Sequence, residues 1–225
     1  MIFALDIETI PNPDTFAFLP EPKASGTLKD PAKIAANIAE KKVAQVEKAA
    51  LDPLTGRVAC AAFVGAGDEG EFEIVEIINA PTDAEETRVI NRIMQALGTD
   101  GVRIVTWNGA GFDLPFIYKR AMILGIHPAA SNAPPLSAWT KRYVADRHYD
   151  LMRIWSNWAS GADGYVALDT VAAMVLGERK VPFDVTMIAD MLATEEGRDK
   201  VANYCLQDTR LTWRLWQRMD GTLFA

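Results

Sequence analysis

Three short stretches of this chain gather residue types that can hold divalent cations and activate water. The first is Asp6-Ile7-Glu8-Thr9. Residues two apart on a strand share a face, so Asp6 and Glu8 would present two carboxylates side by side. Ile2 to Leu5 are apolar at odd and even positions alike, which predicts a strand buried on both faces. Acids at the end of such a strand are costly unless paired or bound to metal. An edge strand with solvated acids is the alternative. The second stretch is Trp107-Asn108-Gly109-Ala110-Gly111-Phe112-Asp113, between a β-branched run and a helical pattern. Open α/β sheets place ligands at such strand ends. Asp113 alone also suits the first turn of a helix, where the dipole favours an acid. The third is Tyr204-Cys205-Leu206-Gln207-Asp208, inside a long helical pattern. Positions four apart share a helix face, so the phenol and the carboxylate can converge. Each stretch is weak alone. Together they supply four carboxylates, and hard cations prefer oxygen ligands. Two such ions about 3.5–4 Å apart can activate a water and stabilise the leaving oxygen of a phosphodiester.

The elements that must position these groups follow from periodicity. Met1 to Ile7 reads as a strand, and residues 11–31 as a loop rich in proline and small residues. Ile34, Ile38, Val43 and Val46 space a helix over 31–51, an ordinary surface helix in an insertion. Arg57 to Val64 and Glu71 to Ile78 read as paired strands. Between them Gly65-Ala66-Gly67-Asp68-Glu69-Gly70 has the spacing of a dinucleotide-binding glycine loop, but that loop needs a helix directly after it. The following residues alternate apolar and acidic at period two, so these glycines belong to a hairpin turn. Helices are expected over 83–97, capped by Thr82 or Asp83, and over 112–124. A buried strand is expected over 102–107 and a short one over 148–152. Short helical pieces over 169–176 and 187–192 precede a closing helix over 195–219. A strand meander followed by alternating strands and helices favours a single-domain α/β layer fold with a mixed sheet. Residues 21–56 form the expected insertion between the first two strands.

Composition narrows the classes. The 225 residues carry 49% hydrophobic and 24% charged side chains, as an ordinary globular domain does, which excludes fibres and disordered tails. The net charge of −7 argues against a protein that coats nucleic acid through a basic surface, but not against one that grips a few phosphates through metal ions. Two cysteines, Cys60 and Cys205, make no disulfide framework and suit a reducing cytoplasm. The longest uncharged apolar stretch, Val58 to Ala66, is too short to cross a bilayer, so no membrane partner is expected.

The stretches FALDIET, WNGAGFDLPFI and YCLQD resemble, in order, the three motifs of the DEDD superfamily of 3′–5′ exonucleases. The tyrosine four residues before the last aspartate, with Asn203 where the histidine branch carries its base, is similar to the tyrosine branch. HYDLM, Leu168-Asp169 and Gly177 to Lys180 resemble segments of the subgroup related to the proofreading domain of family-B DNA polymerases. A stand-alone exonuclease is expected, because the chain ends soon after the third motif.

The resemblance implies a ribonuclease H-like α/β fold, a mixed sheet flanked by helices. It implies two divalent cations, Mg²⁺ or Mn²⁺, and a single-stranded nucleic-acid substrate cleaved from its 3′ end to nucleoside 5′-monophosphates, with DNA favoured and RNA open. Asp6, Glu8 and Asp208 would hold the first ion, with Asp6 bridging to a second that Asp113 serves through water. Tyr204 would orient the attacking water. Thr9 and Ile10 would meet the terminal nucleotide, and Asn108 and Phe112 would line its pocket.

Lys180, Arg142, Arg147 and Arg179 are candidates for phosphate contacts that the sequence cannot rank. His127 and His148 read as structural. Asp150 and Asp169 read as cap or turn residues, with added negative charge near the metals as the alternative. Of Trp139, Trp155, Trp158, Trp213 and Trp216, most read as core, although exposed ones could stack bases. A non-catalytic binder of 3′ ends on the same fold is the alternative function.

Overall fold

The apolar run that opens the chain becomes the centre of a sheet. In the computed structural model, which describes residues 1–143, 146–159 and 161–224, strand β1 (Ile2–Pro11) lies between β2 (Gly56–Gly67) and β4 (Arg103–Thr106). With β3 (Gly70–Ile77) and β5 (His148–Asp150) the order is β3-β2-β1-β4-β5. β1 runs antiparallel to β2 and parallel to β4, β2 antiparallel to β3, and β4 parallel to β5, so the sheet is mixed.

Both faces of β1 are covered, which explains its unbroken apolar run. Phe3, Leu5 and Ile7 pack with residues of α2 (Asp83–Leu97) and α3 (Asp113–Ile123). Ile2 and Ala4 face a second cluster built with α6 (Leu168–Leu176) and α8 (Glu195–Met219). β1 runs to Pro11, past the expected end at Ile7, because pairing with β2 carries on beyond the acids. That pairing shifts register between Glu8 and Thr9.

The glycine-spaced segment lies in the β2–β3 hairpin, as expected. Gly67 pairs with Gly70, leaving Asp68 and Glu69 as the turn, and Gly70 has φ of +112°. Gly65 has a different reason to be glycine: it pairs with Phe3, and a Cβ there would sit 2.3 Å from the Ile2 carbonyl oxygen.

α8 is capped by Thr194, whose hydroxyl accepts from the Gly197 amide, and has Glu195 and Glu196 in its first turn, both favourable to the dipole. Its 25 residues span about 37 Å, enough to cross the sheet. α2 starts at Thr82, whose hydroxyl accepts from the Glu85 amide. Short helices α4 (Leu136–Trp139), α5 (Leu151–Trp155) and α7 (Ile188–Met191) fill the connections.

Helix α1 (Pro31–Lys48) begins with Asp30 accepting from the Ala32 and Lys33 amides and with Pro31 at the first helical position. No described side chain of α1 is buried. Its C-terminal root is different: Ala49 and Thr55 are buried, and the Pro53 carbonyl accepts from Arg120 at 3.1 Å. Arg120 belongs to a buried charge network. Its Nε and Nη2 donate to the two Glu86 carboxylate oxygens at 2.8 and 2.6 Å. Glu86 also accepts from the Val58 amide at 2.9 Å, and Arg57 reaches Asp83 at 2.9 Å. This network ties α2, α3 and the start of β2 together.

Candidate active site

The end of β1 carries the first two acids. Asp6 stands opposite Ala62 and Glu8 opposite Cys60 on β2. Over them lies α8, whose Cys205 thiol donates to the Asp6 carbonyl at 3.7 Å. One carboxylate oxygen each from Asp6 and Glu8 and the Cys205 sulfur lie within 4.8 Å of one another.

The other two acids arrive from helices. Asp113 opens α3, is 3% exposed, and accepts the Ile7 amide at 3.3 Å, which ties the second stretch directly to the first. Asp208 projects from α8, also 3% exposed. Its Oδ2 takes the Lys180 ammonium at 2.5 Å, while its Oδ1 is buried without a hydrogen-bond partner among the described residues.

Tyr204 lies one turn before Asp208. Its ring stacks on Phe183 at 4.2 Å between centroids and 9° between planes, and Lys180 Nζ sits 5.4 Å from its centroid. Lys180 thus reaches both the phenol and the carboxylate that the i, i+4 spacing brings together. The sequence named Lys180 among several candidate cations, and the structure sets it apart by this ion pair. Phe183 was missed: nothing in its surroundings in the sequence marks it as the support of the Tyr204 ring.

These acids are held against their ionised forms. Burial first, and then the charges of Asp113, Glu8 and Asp208, push Asp6 well above the usual carboxylate range. Burial, reinforced by Asp208, lifts Glu8 to about 8. Asp113 rises to about 7 through burial, although its own amide and that of Ile7 pull the other way. Burial also raises Asp208 against the pull of Lys180. The Tyr204 phenol is pushed up by burial and by Asp208 and Glu8, so it stays neutral.

Once ionised, four acids beside one lysine carry a surplus of negative charge that divalent cations would neutralise. The donor set fits such ions: hard carboxylate oxygens, one of them orphaned and buried at Asp208. Cys205 does not suit a hard cation, because burial and Cys60 keep its thiol protonated.

The strand-end loop is held by Thr106, which sequence reading passed over, and by His148 and Asp150. Gly109 donates to Thr106 Oγ1 at 2.9 Å, and Thr106 Oγ1 meets His148 Nε2 at 2.7 Å. His148 Nδ1 lies 2.6 Å from the Trp139 carbonyl, so Nδ1 carries the proton and Nε2 accepts from the threonine. Burial lowers the His148 pKa, consistent with this neutral ring. A Cβ on Gly109 would sit 2.3 Å from Thr106 Oγ1, which explains the glycine. Asp150 accepts from the Asn108 and Ala110 amides at 3.2 and 3.0 Å while also capping α5 through the Arg153 amide. Asn108 itself adopts φ of 67°. Asp169 likewise acts as a turn anchor, accepting from the Lys180 amide at 2.8 Å and pairing with Arg179 at 2.7 Å.

Of the other expected contact residues, Asn108 and Thr9 are half-buried, and Phe112 tilts against Phe116 at 5.6 Å. Ile10 is 2% exposed, with its side chain committed to the core. Trp139 and Trp213 are buried, whereas Trp155 is exposed.

Residues 51–223 match the family model described as a predicted 3′–5′ exonuclease related to the exonuclease domain of PolB. That match includes Asp113, Tyr204 and Asp208, with Asp6 and Glu8 on the strand that precedes it. A DNA polymerase of Thermococcus litoralis is 30% identical over 184 residues, covering 68% of this chain and 11% of that protein. DNA polymerase 1 of Saccharolobus solfataricus is 32% identical over 118 residues, covering 50% of this chain and 13% of the polymerase. The chain therefore spans about a tenth of these relatives' length. The family B DNA polymerase of Pyrobaculum calidifontis aligns over 97% of this chain and 24% of its own, with a TM-score of 0.60 and 20% identity, a likeness of fold. The mixed sheet flanked by helices is thus the ribonuclease H-like architecture of such exonuclease domains. No helix among the described residues is long and apolar enough to cross a membrane. The chain belongs to the family of predicted 3′–5′ exonucleases related to the exonuclease domain of family-B DNA polymerases.

Proposed function

We propose that the chain hydrolyses single-stranded nucleic acid, DNA by preference, from the 3′ end, with two divalent cations, Mg²⁺ or Mn²⁺, and that it releases nucleoside 5′-monophosphates. The carrying observation is the surplus of carboxylate: half-buried Asp6 and Glu8 beside buried Asp113 and Asp208, with Lys180 on Asp208 Oδ2 and Asp208 Oδ1 unpartnered among the described residues. Asp6, Glu8 and Asp208 would hold one ion, and Asp6 and Asp113 a second. When bound, such ions supply charge neutralisation for the phosphodiester and a water of lowered pKa.

The chain's own residues do the rest. Tyr204, fixed by Phe183, orients the attacking water by a hydrogen bond; as a neutral phenol it is neither base nor ligand. Lys180 holds Asp208 and adds positive charge beside the reacting phosphate. Thr9, the Ile10 backbone, Asn108 and Phe112 flank the terminal nucleotide, with the loop around Asn108 braced by Asp150 and Thr106. Free, buried Cys60 and Cys205 support a cytoplasmic setting.

The test is digestion of a 5′-labelled single strand with Mg²⁺ or Mn²⁺, with and without excess chelator, and with the products identified by mass. A ladder shortening from the 3′ end, with nucleoside 5′-monophosphates released and chelator abolishing both, is expected. Products bearing a 3′-phosphate, or undiminished cleavage in chelator, would sink the mechanism. Tight binding of 3′ ends without any cleavage would turn the reading to a non-catalytic end binder.

A further inference from the structure

Next to Asn108 a cavity of about 370 Å³ opens, lined by none of the four carboxylates. Asn108, Arg142, Arg153, Trp158 and Tyr165 line it, and no described acid does. In a chain of net charge −7, a pocket wall with two arginines and no described acid is locally basic, with Asp150 behind it pairing with Arg153.

Its construction is specific. The Arg142 guanidinium donates to the Trp158 carbonyl at 3.2 Å and lies over the Tyr143 ring, 4.9 Å from its centroid. Tyr143 and Trp158 meet at 5.5 Å between centroids. Tyr143 and Trp158 have φ of 63° and 61°, a left-handed backbone that bulky side chains avoid. Strain of this kind persists where the surroundings over-determine it, and it clusters at ligand sites. Tyr143 and Tyr165 are 66% and 67% exposed, so aromatic faces are left open to solvent rather than used as core. Arg153 stands 3.6 Å from Asp150, the residue that also holds the Asn108 amide, which couples this wall to the active-site loop.

We propose that this cavity is a subsite for a nucleotide upstream of the reacting 3′ end. Trp158 and Tyr165 stack on its base, and Arg142 and Arg153 meet its phosphates. The volume falls within the range of small-ligand pockets. Arginine with aromatic side chains is the combination that binds single strands through stacking and charge without reading sequence. Asn108 borders both this cavity and the end of the strand that leads to Asp113, so one continuous strand can occupy both sites. The inference rests on the proposed nuclease reading and adds to it the path of the substrate.

The test compares wild type with Trp158→Leu and Arg142→Gln. Equilibrium binding of a 5′-labelled thymidylate decamer is measured in excess chelator, so that no cleavage enters. The ratio of kcat/KM for the decamer to that for a dinucleotide is then measured with Mn²⁺. Each substitution is expected to weaken decamer binding by about tenfold or more and to lower the ratio correspondingly. Unchanged binding and an unchanged ratio in both variants would overturn the subsite. Wild type that cleaves neither substrate would sink the nuclease reading instead, while the binding comparison still decides the subsite. Should Trp158→Leu not fold, Arg142→Gln alone decides, since it removes a charge and keeps every aromatic ring.

Discussion

Glu86 and Asp208 are both buried carboxylates on long helices, and each faces a cation, yet they are completed differently. Both oxygens of Glu86 are occupied, by Arg120 at 2.8 and 2.6 Å and by the Val58 amide at 2.9 Å. Asp208 has one oxygen on Lys180 and the other unpartnered among the described residues, and Asp6, Glu8 and Asp113 add three more carboxylates to the same cluster. Burying charge is tolerable only with a partner. In the Glu86 network the chain supplies the partners itself, and the result is a clamp between α2, α3 and β2. In the acid cluster the chain supplies too little positive charge, and the deficit has the sign and the ligand chemistry of divalent cations.

The sharpest way to break this contrast is to substitute one acid in each place. Asp6→Asn is expected to lower cleavage of a labelled single strand by about 10³-fold or more, some 4 kcal/mol in the barrier, while the fold survives. Glu86→Gln is expected to do the reverse. It leaves Arg120 without its partner and should cost about 3–5 kcal/mol of stability in a denaturant titration. If Asp6→Asn unfolds the protein and Glu86→Gln does not, the two roles are assigned the wrong way round.

A smaller effect is expected at Tyr204, which borders the cluster without belonging to its charge. Tyr204→Phe retains the stack on Phe183 and removes only the hydroxyl. Single-turnover cleavage should fall by about ten- to thousandfold, roughly 1.4–4 kcal/mol, with little change in Mn²⁺ affinity. Equal cleavage rates would reduce Tyr204 to packing, and lost metal affinity would move the phenol into the ligand shell.

The contrast also carries a pH signature. Glu8 rises from 4.5 to about 8 and Asp113 from 3.8 to about 7 on folding, both chiefly through burial. A raised folded pKa means that the folded state holds its proton more tightly than the unfolded state. The contribution to stability is therefore full below about pH 4 and is lost as pH rises toward 8. Metal-free protein should melt progressively lower across that window, by several degrees, and Mn²⁺ should flatten the decline. A metal-free melting temperature that climbs from pH 5 to pH 8 would contradict a crowded acid cluster.

The smallest effect is expected far from both charge groups. The Gln45 side chain donates to the Pro20 carbonyl at 3.3 Å, so the ends of the α1 excursion lie close together. Replacing residues 21–45 with a short Gly/Ser linker should change stability by less than about 1 kcal/mol, read in the same denaturant titration. A large loss would make α1 part of the core.

Legibility followed locality. The closing helix over 195–219 and the helix over 83–97 were readable to their ends because their apolar spacing is regular, and Thr82 marks the start of the second. The strand at Ile2 was readable, but its end at Pro11 was not. That end is set by pairing with residues fifty positions away rather than by the strand's own side chains. Asp6 with Glu8, and Tyr204 with Asp208, stood out by local spacings, two along a strand and four along a helix, whereas Asp113 was named through the resemblance of its stretch. The ion pair between Lys180 and Asp208, the stack of Phe183 on Tyr204 and the Thr106–His148–Trp139 relay join segments far apart in the chain, and no periodicity encodes them. The Glu86 clamp was invisible for the same reason: in sequence Glu86 is one more acid in the first turn of a helix.

The central claim is that the acid cluster is completed by divalent cations, and Mn²⁺ binding tests it most directly. Free Mn²⁺ would be titrated by its electron paramagnetic resonance signal at pH 8 and fixed ionic strength, in wild type, Asp6→Asn and Glu8→Gln. Saturable uptake by wild type, strongly weakened in both variants, is the predicted result. Wild type that takes up no Mn²⁺, or variants that bind it as well as wild type, would contradict the account.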